Sequence, residues 1–275
     1  MQNRLLSVVI AVFAAAVHAG VITDIEYGKA GDLSLKLDVN VPDGSGPFPV
    51  AIVVHGGGWS RGDKQDEITT ILAPLTEAKF AWFSINYRLA PQHRFPACLE
   101  DVETAIRWVK THAKKYKGDP KRVALIGYSA GGQLMSMAVM RAQNDTRVQA
   151  VVGLAPSTDF VMDTLRRDSL SASLKNLLNR EVVNEEVLEL LWNISPINHL
   201  KKGLPPFLLI HGTQDRSVPY VQSLHLQNRL QAFGVACDLI TIENAPHAIV
   251  EWEKSDASYK DKMIVWLKQT LRVKI

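Results

Sequence analysis

One stretch, residues 122–132, constrains the fold of this 275-residue chain more than any other. Residues 123–126, Val-Ala-Leu-Ile, predict a strand buried on both faces of a parallel sheet. The sequence Gly-Tyr-Ser-Ala-Gly follows at 127–131, and residues 133–141 are mostly good helix formers. A Gly-x-Ser-x-Gly pentapeptide between a strand and a helix is typical of a sharp, strained turn that projects the serine hydroxyl clear of the sheet. The stretch therefore predicts a nucleophile at Ser129 rather than a loop with incidental glycines.

The rest of the chain alternates short apolar runs with amphipathic stretches. Strands are predicted at residues 24–27, 33–41, 49–54, 81–87, 123–126, 148–154, 207–211 and 238–242. Helices are predicted at residues 63–78, 99–116, 133–141, 218–233 and 255–273, with Gly118 expected to stop the second of them. This alternation predicts an α/β domain with a mostly parallel central sheet and helices on both faces.

Residues 157–200 interrupt this alternation. They follow the sixth predicted strand, are polar and helix-prone, and contain no clear strand. We expect this insertion to form a small cap over the site at the adjoining sheet edge. No internal repeat or linker divides the chain, so residues 20–275 are predicted to be one catalytic domain.

The first residues have the pattern of an export signal. A short basic head with Arg4 precedes an apolar run at 5–17, and small residues end the run at 17–19. The run is short for a bilayer span, so it favours a secretory signal peptide at 1–19 over a membrane anchor or a buried helix. We therefore expect a secreted or periplasmic protein with no stable membrane insertion.

Charge and cysteine content exclude several other classes. The net charge is only +3 and the basic residues are scattered, which argues against a nucleic-acid partner. Cys98 and Cys237 make no disulfide framework and lack metal-ligand spacing to a histidine. We interpret both as small buried apolar residues, with a single bridge between them as the alternative.

A serine nucleophile needs a base, and the base needs an acid that fixes its tautomer. The predicted base is His247, on the loop after the last strand, and the predicted acid is Asp215, just past the strand at 207–211. Asp159, which also follows a strand end, is the alternative acid, and we interpret His211 as structural. All the chosen residues follow strand ends, which meet at one edge of a parallel sheet.

Acyl transfer also needs donors for the oxyanion that forms on the attacked carbonyl. The run His-Gly-Gly-Gly-Trp at 55–59 follows a buried strand, and its glycines let the backbone approach a reacting oxygen closely. The predicted donors are the N–H groups of Gly57, Gly58 and Ala130. Trp59 and Tyr128, beside these groups, are predicted to contact substrate.

Together these motifs carry a family resemblance. The sequences are His-Gly-Gly-Gly-Trp at 55–59, Asn-Tyr-Arg-Leu-Ala-Pro at 86–91 with Arg-Phe-Pro at 94–96, Gly-Tyr-Ser-Ala-Gly-Gly at 127–132, His-Gly-Thr-Gln-Asp at 211–215 and Ala-Pro-His at 245–247. Their order resembles the α/β-hydrolase superfamily. More narrowly, they resemble its acetyl-esterase/lipase branch near hormone-sensitive lipase, including bacterial feruloyl- and acetyl-xylan-esterase-like enzymes. The resemblance runs from about residue 33 to 271.

The resemblance implies an α/β-hydrolase fold and carboxylic ester hydrolysis without metal or cofactor. It implies that Ser129, Asp215 and His247 act as the triad and that the glycines stabilise the oxyanion. The N-terminal region is too short for the helical cap of hormone-sensitive-lipase relatives, which favours the carbohydrate-esterase-like branch.

The leading hypothesis is an exported serine esterase that acts on short-chain, acetyl or feruloyl esters of plant carbohydrate. Its substrate partner would be a small-molecule or oligosaccharide ester. An arylformamidase or a small peptidase-type amide hydrolase is one alternative. A catalytically inactive hydrolase-fold binding protein is another, although Ser129 and His247 are both present.

Overall fold

Eight strands form one sheet in the computed structural model of the chain, which describes residues 19–273. The strands are β1 (Gly20–Ala30), β2 (Leu33–Val41), β3 (Phe48–Val54), β4 (Ala81–Ile85), β5 (Gly118–Tyr128), β6 (Ala150–Leu154), β7 (Phe207–Gly212) and β8 (Cys237–Ile242). Their order across the sheet is β1-β2-β4-β3-β5-β6-β7-β8. Strands β3 to β8 are parallel, whereas β1 and β2 add an antiparallel edge. The predicted mostly parallel sheet is confirmed.

Helices cover both faces of this sheet. They are α1 (Leu72–Glu77), α2 (Ala97–His112), α3 (Ala130–Met140), α4 (Phe160–Arg167), α5 (Ala172–Leu178), α6 (Glu185–Ile194), α7 (Val221–Ala232) and α8 (Tyr259–Thr270). Apolar residues of α2, α3 and α7 pack on one face, and those of α1 and α8 pack on the other. Because β3 and β5 are covered on both faces, their central residues are continuous apolar runs, as expected for buried parallel strands.

Two local predictions were wrong in detail. The helix predicted at 63–78 is a 3₁₀ turn (Glu67–Ile71) followed by the short α1, because the backbone N–H of Lys64 is bound 2.6 Å from the side-chain oxygen of Asn86 in an irregular segment. The helical stretch before β5 is ended by Lys117, which has φ 58°, and not by Gly118. Gly118 instead begins β5, where a Cβ would lie 2.7 Å from a methyl group of Val50.

The predicted insertion at 157–200 is helical, and this fully described stretch contains no strand. It holds α4, α5 and α6, and each helix begins at a side chain that caps its first turn: Asp159, Ser171 and Asn184 each accept a hydrogen bond from the N–H three residues later. Such caps replace backbone acceptors that the first turn of a helix lacks. These three signals explain why a polar stretch folds as short helices.

The topology brings several chain segments to one edge. The loops after β3, β5, β7 and β8 all leave the carboxyl end of the parallel sheet. The predicted signal peptide, residues 1–19, lies outside the described residues except for Ala19. Between residues 19 and 273, none of the helices has the length and apolar character needed to cross a membrane.

Candidate active site

The turn between β5 and α3 holds Ser129 in a backbone conformation that L-residues rarely adopt, with φ 53° and ψ −116°. The flanking glycines permit so tight a turn. A Cβ on Gly127 would overlap the carbonyl oxygen of Gly131, and a Cβ on Gly131 would overlap the carbonyl oxygen of His55. Strain of this kind persists where the surrounding structure imposes it, and it concentrates at functional sites.

The strain gives a stability prediction. Glycine adopts positive φ without a Cβ clash, whereas alanine keeps the clash, so Ser129→Gly should melt at or above the wild-type temperature and above Ser129→Ala. We expect a difference of about 1 kcal/mol between the two variants, partly offset by the greater unfolded-state freedom of glycine. Circular dichroism melts of the three proteins measure it. A glycine variant clearly less stable than the alanine variant would contradict a strained turn.

Three side chains from distant parts of the chain converge at this turn. The Nε2 atom of His247 lies 2.9 Å from the hydroxyl oxygen of Ser129, and its Nδ1 atom lies 2.6 Å from Oδ2 of Asp215. Because a carboxylate only accepts hydrogen bonds, Nδ1 carries the hydrogen and Nε2 is left to accept from the serine hydroxyl. The structure therefore brings together the serine, histidine and aspartate that the sequence analysis selected.

Asp215 is held in place from two sides. Its side chain is fully buried, and Oδ1 accepts the backbone N–H groups of Ser217 and Val218, each at 2.8 Å. Burial alone would raise the pKa of Asp215, but hydrogen bonds from His211 and His247 outweigh it and lower the pKa to about 2. Asp215 is thus a fixed carboxylate at neutral pH.

This pKa implies a pH-dependent contribution to stability. Because the folded pKa of Asp215 is depressed, its contribution is present above the unfolded value of 3.8 and is lost as the pH falls through about 2. We expect wild type to be more stable than Asp215→Asn by about 2 kcal/mol at neutral pH, with the difference shrinking between about pH 4 and pH 2. Denaturant unfolding of both proteins across this range measures the difference. A difference that stays constant down to pH 2 would contradict it.

The glycine loop after β3 lies beside Ser129. Gly57 has φ 100° and Gly58 has φ 59°, so both use backbone conformations that favour glycine. Neither amide donates to a backbone acceptor within residues 19–273. Ala130 begins α3, where first-turn N–H groups have no intrahelical acceptor. The three predicted oxyanion donors therefore come from a loop and a helix start that flank the serine.

The segment after β4 fixes this loop. The Tyr87 hydroxyl lies 3.1 Å from the carbonyl oxygens of both His55 and Gly56, and its ring stacks on the His55 ring at 4.2 Å. The N–H of Ala90 donates to the carbonyl oxygen of Trp59 at 2.8 Å. The Asn-Tyr-Arg-Leu-Ala-Pro motif therefore acts on the site indirectly, by clamping the glycine loop.

Seven of the eight predicted site residues line one cavity of about 700 Å³: Gly57, Gly58, Trp59, Tyr128, Ser129, Ala130 and His247. Asp215 lies behind His247 and does not line it. Trp59 donates its indole N–H to Gln133 at 3.0 Å, and the Tyr128 hydroxyl donates to the carbonyl oxygen of His247 at 2.9 Å. Both predicted substrate contacts are therefore cavity walls that also brace the site.

The alternative acid, Asp159, has a structural role. The Asp159 carboxylate caps α4 by accepting the N–H of Met162 at 2.9 Å. His211 makes a contact that the sequence analysis did not foresee, because its Nε2 lies 3.1 Å from the same Asp215 oxygen that binds His247. Only its place in the motif at 211–215, four residues before the acid, hinted at this. Cys98 and Cys237 are both free and buried, so the alternative of a bridge was wrong.

The residues the structure describes contain no group of three His, Cys, Asp or Glu side chains arranged to hold a metal ion. The strand order, the strained serine turn and the Ser129–His247–Asp215 contacts define the chain as an α/β-hydrolase. Residues 37–230 match the BD-FAE family. The chain belongs to this family.

Named relatives agree with that assignment. The chain is 33% identical over 227 residues to the probable carboxylic ester hydrolase LipM of Mycobacterium tuberculosis, which covers 78% of this chain and 52% of LipM. It is 38% identical to the carboxylesterase NlhH of the same organism, over 74% of this chain and 67% of NlhH. The chain spans only about half the length of several curated relatives it matches.

A solved structure shares nearly the whole fold. A truncated form of a carbohydrate esterase from gut microbiota superposes with a TM-score of 0.81 at 25% identity, covering 94% of this chain and 98% of that one. The predicted α/β-hydrolase fold and its esterase branch are confirmed.

Proposed function

We propose that this protein is a serine hydrolase of carboxylic esters, with Ser129 as nucleophile, His247 as general base and Asp215 as the acid that orients it. One observation carries the proposal: His247 bridges the Ser129 hydroxyl at 2.9 Å and Asp215 at 2.6 Å. That geometry is the one needed to activate a serine at neutral pH. The names of LipM and NlhH as ester hydrolases support the reaction class.

The reaction proceeds through an acyl-enzyme. Nε2 of His247 takes the hydroxyl proton as Ser129 attacks the ester carbonyl, and Asp215 stabilises the imidazolium that results. The imidazolium then gives this proton to the leaving alcohol, and the acyl group stays on Ser129. Water, deprotonated by His247, attacks the acyl carbonyl and releases the acid together with the free serine.

The oxyanion in each step accepts hydrogen bonds from the N–H groups of Gly57, Gly58 and Ala130. Their support is position: two lie on the loop after β3 and one begins the helix after the serine, which are the two contributors that α/β-hydrolases use. Each donor of this kind lowers the barrier by about 3 kcal/mol in comparable sites.

The proposed substrate is either a short-chain ester or an acetyl or feruloyl ester of plant carbohydrate. The cavity is rich in groups that hydrogen-bond hydroxyls, including Ser157, Ser171, Ser173, Ser217 and Gln222. Hydroxyl-rich ligands need such partners, because a polar group left unpaired on binding costs affinity. The carbohydrate esterase that shares the fold supports the same class.

Residues 157–200 act as the cap of this site. Phe160, Asp163 and Arg167 of α4 and Leu174 of α5 form one wall of the cavity. The hydroxyl of Ser173 is so near the glycine loop that a Cβ on Gly58 would lie 2.5 Å from it. A bound ester would therefore contact the cap and the glycine loop together.

The protein is exported, with residues 1–19 removed as a signal peptide. The support is the sequence alone: a basic head, an apolar run and small residues before the cut. Edman sequencing of protein recovered from the periplasm or the medium should find a new N-terminus near residue 20. Recovery of the full chain from the cytosol would refute export.

Two experiments test the activity and its substrate. A fluorophosphonate probe should label wild type but not Ser129→Ala, and equal labelling would refute the nucleophile. Release of acetate and ferulate from xylan fragments is then compared with hydrolysis of p-nitrophenyl esters of increasing chain length. Activity on simple esters alone would remove the carbohydrate proposal, and faster turnover of formylkynurenine would favour amide hydrolysis instead.

A further inference from the structure

A second histidine contacts the predicted catalytic acid. His211 lies near the end of β7, and its side chain is fully buried. Its Nε2 is 3.1 Å from Oδ2 of Asp215 and 3.0 Å from the carbonyl oxygen of Val218, and its Nδ1 is 2.7 Å from the hydroxyl oxygen of Ser223 on α7. Both ring nitrogens are therefore satisfied without solvent.

These partners assign the tautomer of His211. The carboxylate and the carbonyl near Nε2 can only accept, so Nε2 carries the hydrogen and shares it between them. Nδ1 is then an acceptor, and the Ser223 hydroxyl donates to it. Since Ser223 is itself fully buried on α7, the imidazole has one orientation and one tautomer that satisfy every contact.

His211 donates to Oδ2 of Asp215, the same oxygen that accepts the hydrogen bond from His247. Oδ2 of Asp215 accepts from His247 at 2.6 Å and from His211 at 3.1 Å, while Oδ1 accepts two backbone N–H groups. A donor on Oδ2 disperses part of its negative charge. It therefore weakens the stabilisation that Asp215 gives to protonated His247.

We propose that His211 is a positioning residue for the hydrolase reaction: it holds the Asp215 carboxylate in line with His247 and limits the charge that Oδ2 presents to it. This rests on the proposed function of the triad. Ser223 contributes by donating to Nδ1 of His211 at 2.7 Å, which holds the ring in this orientation. A chain of hydrogen bonds therefore links Ser223 on α7, His211 on β7, Asp215 and His247.

Within residues 19–273, no ionisable side chain other than His211 and His247 is hydrogen-bonded to Asp215. Tyr220 lies edge-on to the His211 ring at 5.7 Å, and Tyr128 stacks on the His247 ring at 5.3 Å. Charged side chains also line the cavity at Ser129. They are Arg61, Asp66, Glu67, Asp163, Arg167 and Arg216. The two substitutions below leave all of these unchanged.

Two substitutions at position 211 separate the contacts. The amide nitrogen of glutamine reaches about as far as Nε2 of histidine, so His211→Gln can still donate to Asp215. Asparagine reaches only the Nδ1 position, so His211→Asn can still bond Ser223 but cannot reach Asp215. The proposal therefore predicts that glutamine rescues the site and that asparagine does not.

The readout is the pH dependence of kcat/KM for p-nitrophenyl acetate. In His211→Asn, Oδ2 of Asp215 no longer accepts from His211, so its full charge stabilises protonated His247. The acid side of the kcat/KM profile should therefore shift to higher pH by about half to one unit. Looser alignment should also lower kcat about tenfold with little change in KM. His211→Gln should keep the wild-type limb and a kcat within about threefold of wild type. His112→Gln, on the outer helix α2, serves as the control for loss of a histidine.

A purely structural role predicts something else. If both variants lose melting temperature while the acid limb stays at the wild-type pH, the proposal is wrong. Should His211→Asn fail to fold, His211→Ser is measured instead, because its side chain is also too short to reach Asp215. An acid limb that stays at the wild-type pH in that variant would overturn the proposal. Titration of the His247 ring protons by NMR repeats the measurement without turnover. A shifted NMR midpoint in a protein that hydrolyses no ester would refute the proposed function, whereas an unshifted midpoint in an active esterase would refute the role of His211 alone.

Discussion

Replacing Ser129 by alanine is expected to lower kcat for p-nitrophenyl acetate by about 10⁵-fold or more, with the fold intact. The substitution removes the proposed attacking atom, because Oγ of Ser129 is the group that His247 binds at 2.9 Å. Residual hydrolysis of about 10³-fold over water should remain, because the oxyanion donors and the binding cavity are unchanged. Steady-state rates and mass spectrometry of the acylated protein measure both effects.

The chain offers a matched control for this loss. Ser136 lies on α3, seven residues after the nucleophile, is fully buried, and donates only to the carbonyl oxygen of Gly132 at 2.7 Å. Ser136→Ala should therefore cost about 1 kcal/mol of stability and leave kcat within about threefold of wild type. If Ser129→Ala keeps wild-type rates, or if both variants lose activity equally, the assignment of the nucleophile is wrong.

The features that could be predicted are those determined by residues close together in the sequence. A buried apolar run, a Gly-x-Ser-x-Gly turn and a helix identify β5, Ser129 and α3 without any long-range information. The rule that parallel strands share a carboxyl edge then placed Asp215 and His247 near the serine. The structure brings these three side chains together, while their catalytic roles stay predictions.

The wrong predictions arose where tertiary contacts override local preference. Residues 63–66 have no helix because the Lys64 N–H is bound by Asn86, a residue 22 positions later. Lys117 takes the left-handed conformation that glycine usually takes, because Gly118 is needed at the start of β5, where a Cβ would lie 2.7 Å from the Val50 side chain of β3. Neither contact leaves a periodic signal in the sequence.

Supporting residues were the hardest to find. Tyr87 holds the glycine loop and His211 binds Asp215, but each contact joins side chains whose partners are specified only by packing. A single sequence shows that such residues exist, not which groups they touch. Their chemistry becomes visible only once the strand order is known.

Replacing Gly57 by alanine is expected to lower kcat about 10²- to 10³-fold, the second largest loss, with KM little changed. A Cβ at this position would overlap the backbone carbonyl of Arg61, and φ 100° disfavours any L side chain. The clashing atom is the Arg61 backbone oxygen, which cannot rotate away as a flexible side chain would. The loop must therefore move, and it carries the Gly57 and Gly58 amides away from the oxyanion. Labelling by a fluorophosphonate should slow in parallel, because it passes through a similar charged intermediate.

Backbone strain and loss of the donors can be separated with a second glycine. Gly203 also has positive φ, at 78°, but a Cβ there would meet no heavy atom within 4 Å. Gly203→Ala should therefore lower the melting temperature through strain while leaving kcat unchanged. If Gly57→Ala loses only stability and keeps a kcat near that of Gly203→Ala, the loop after β3 does not supply the oxyanion donors. The negative charge of the oxyanion would then be stabilised by the Ala130 amide and by other groups in the cavity.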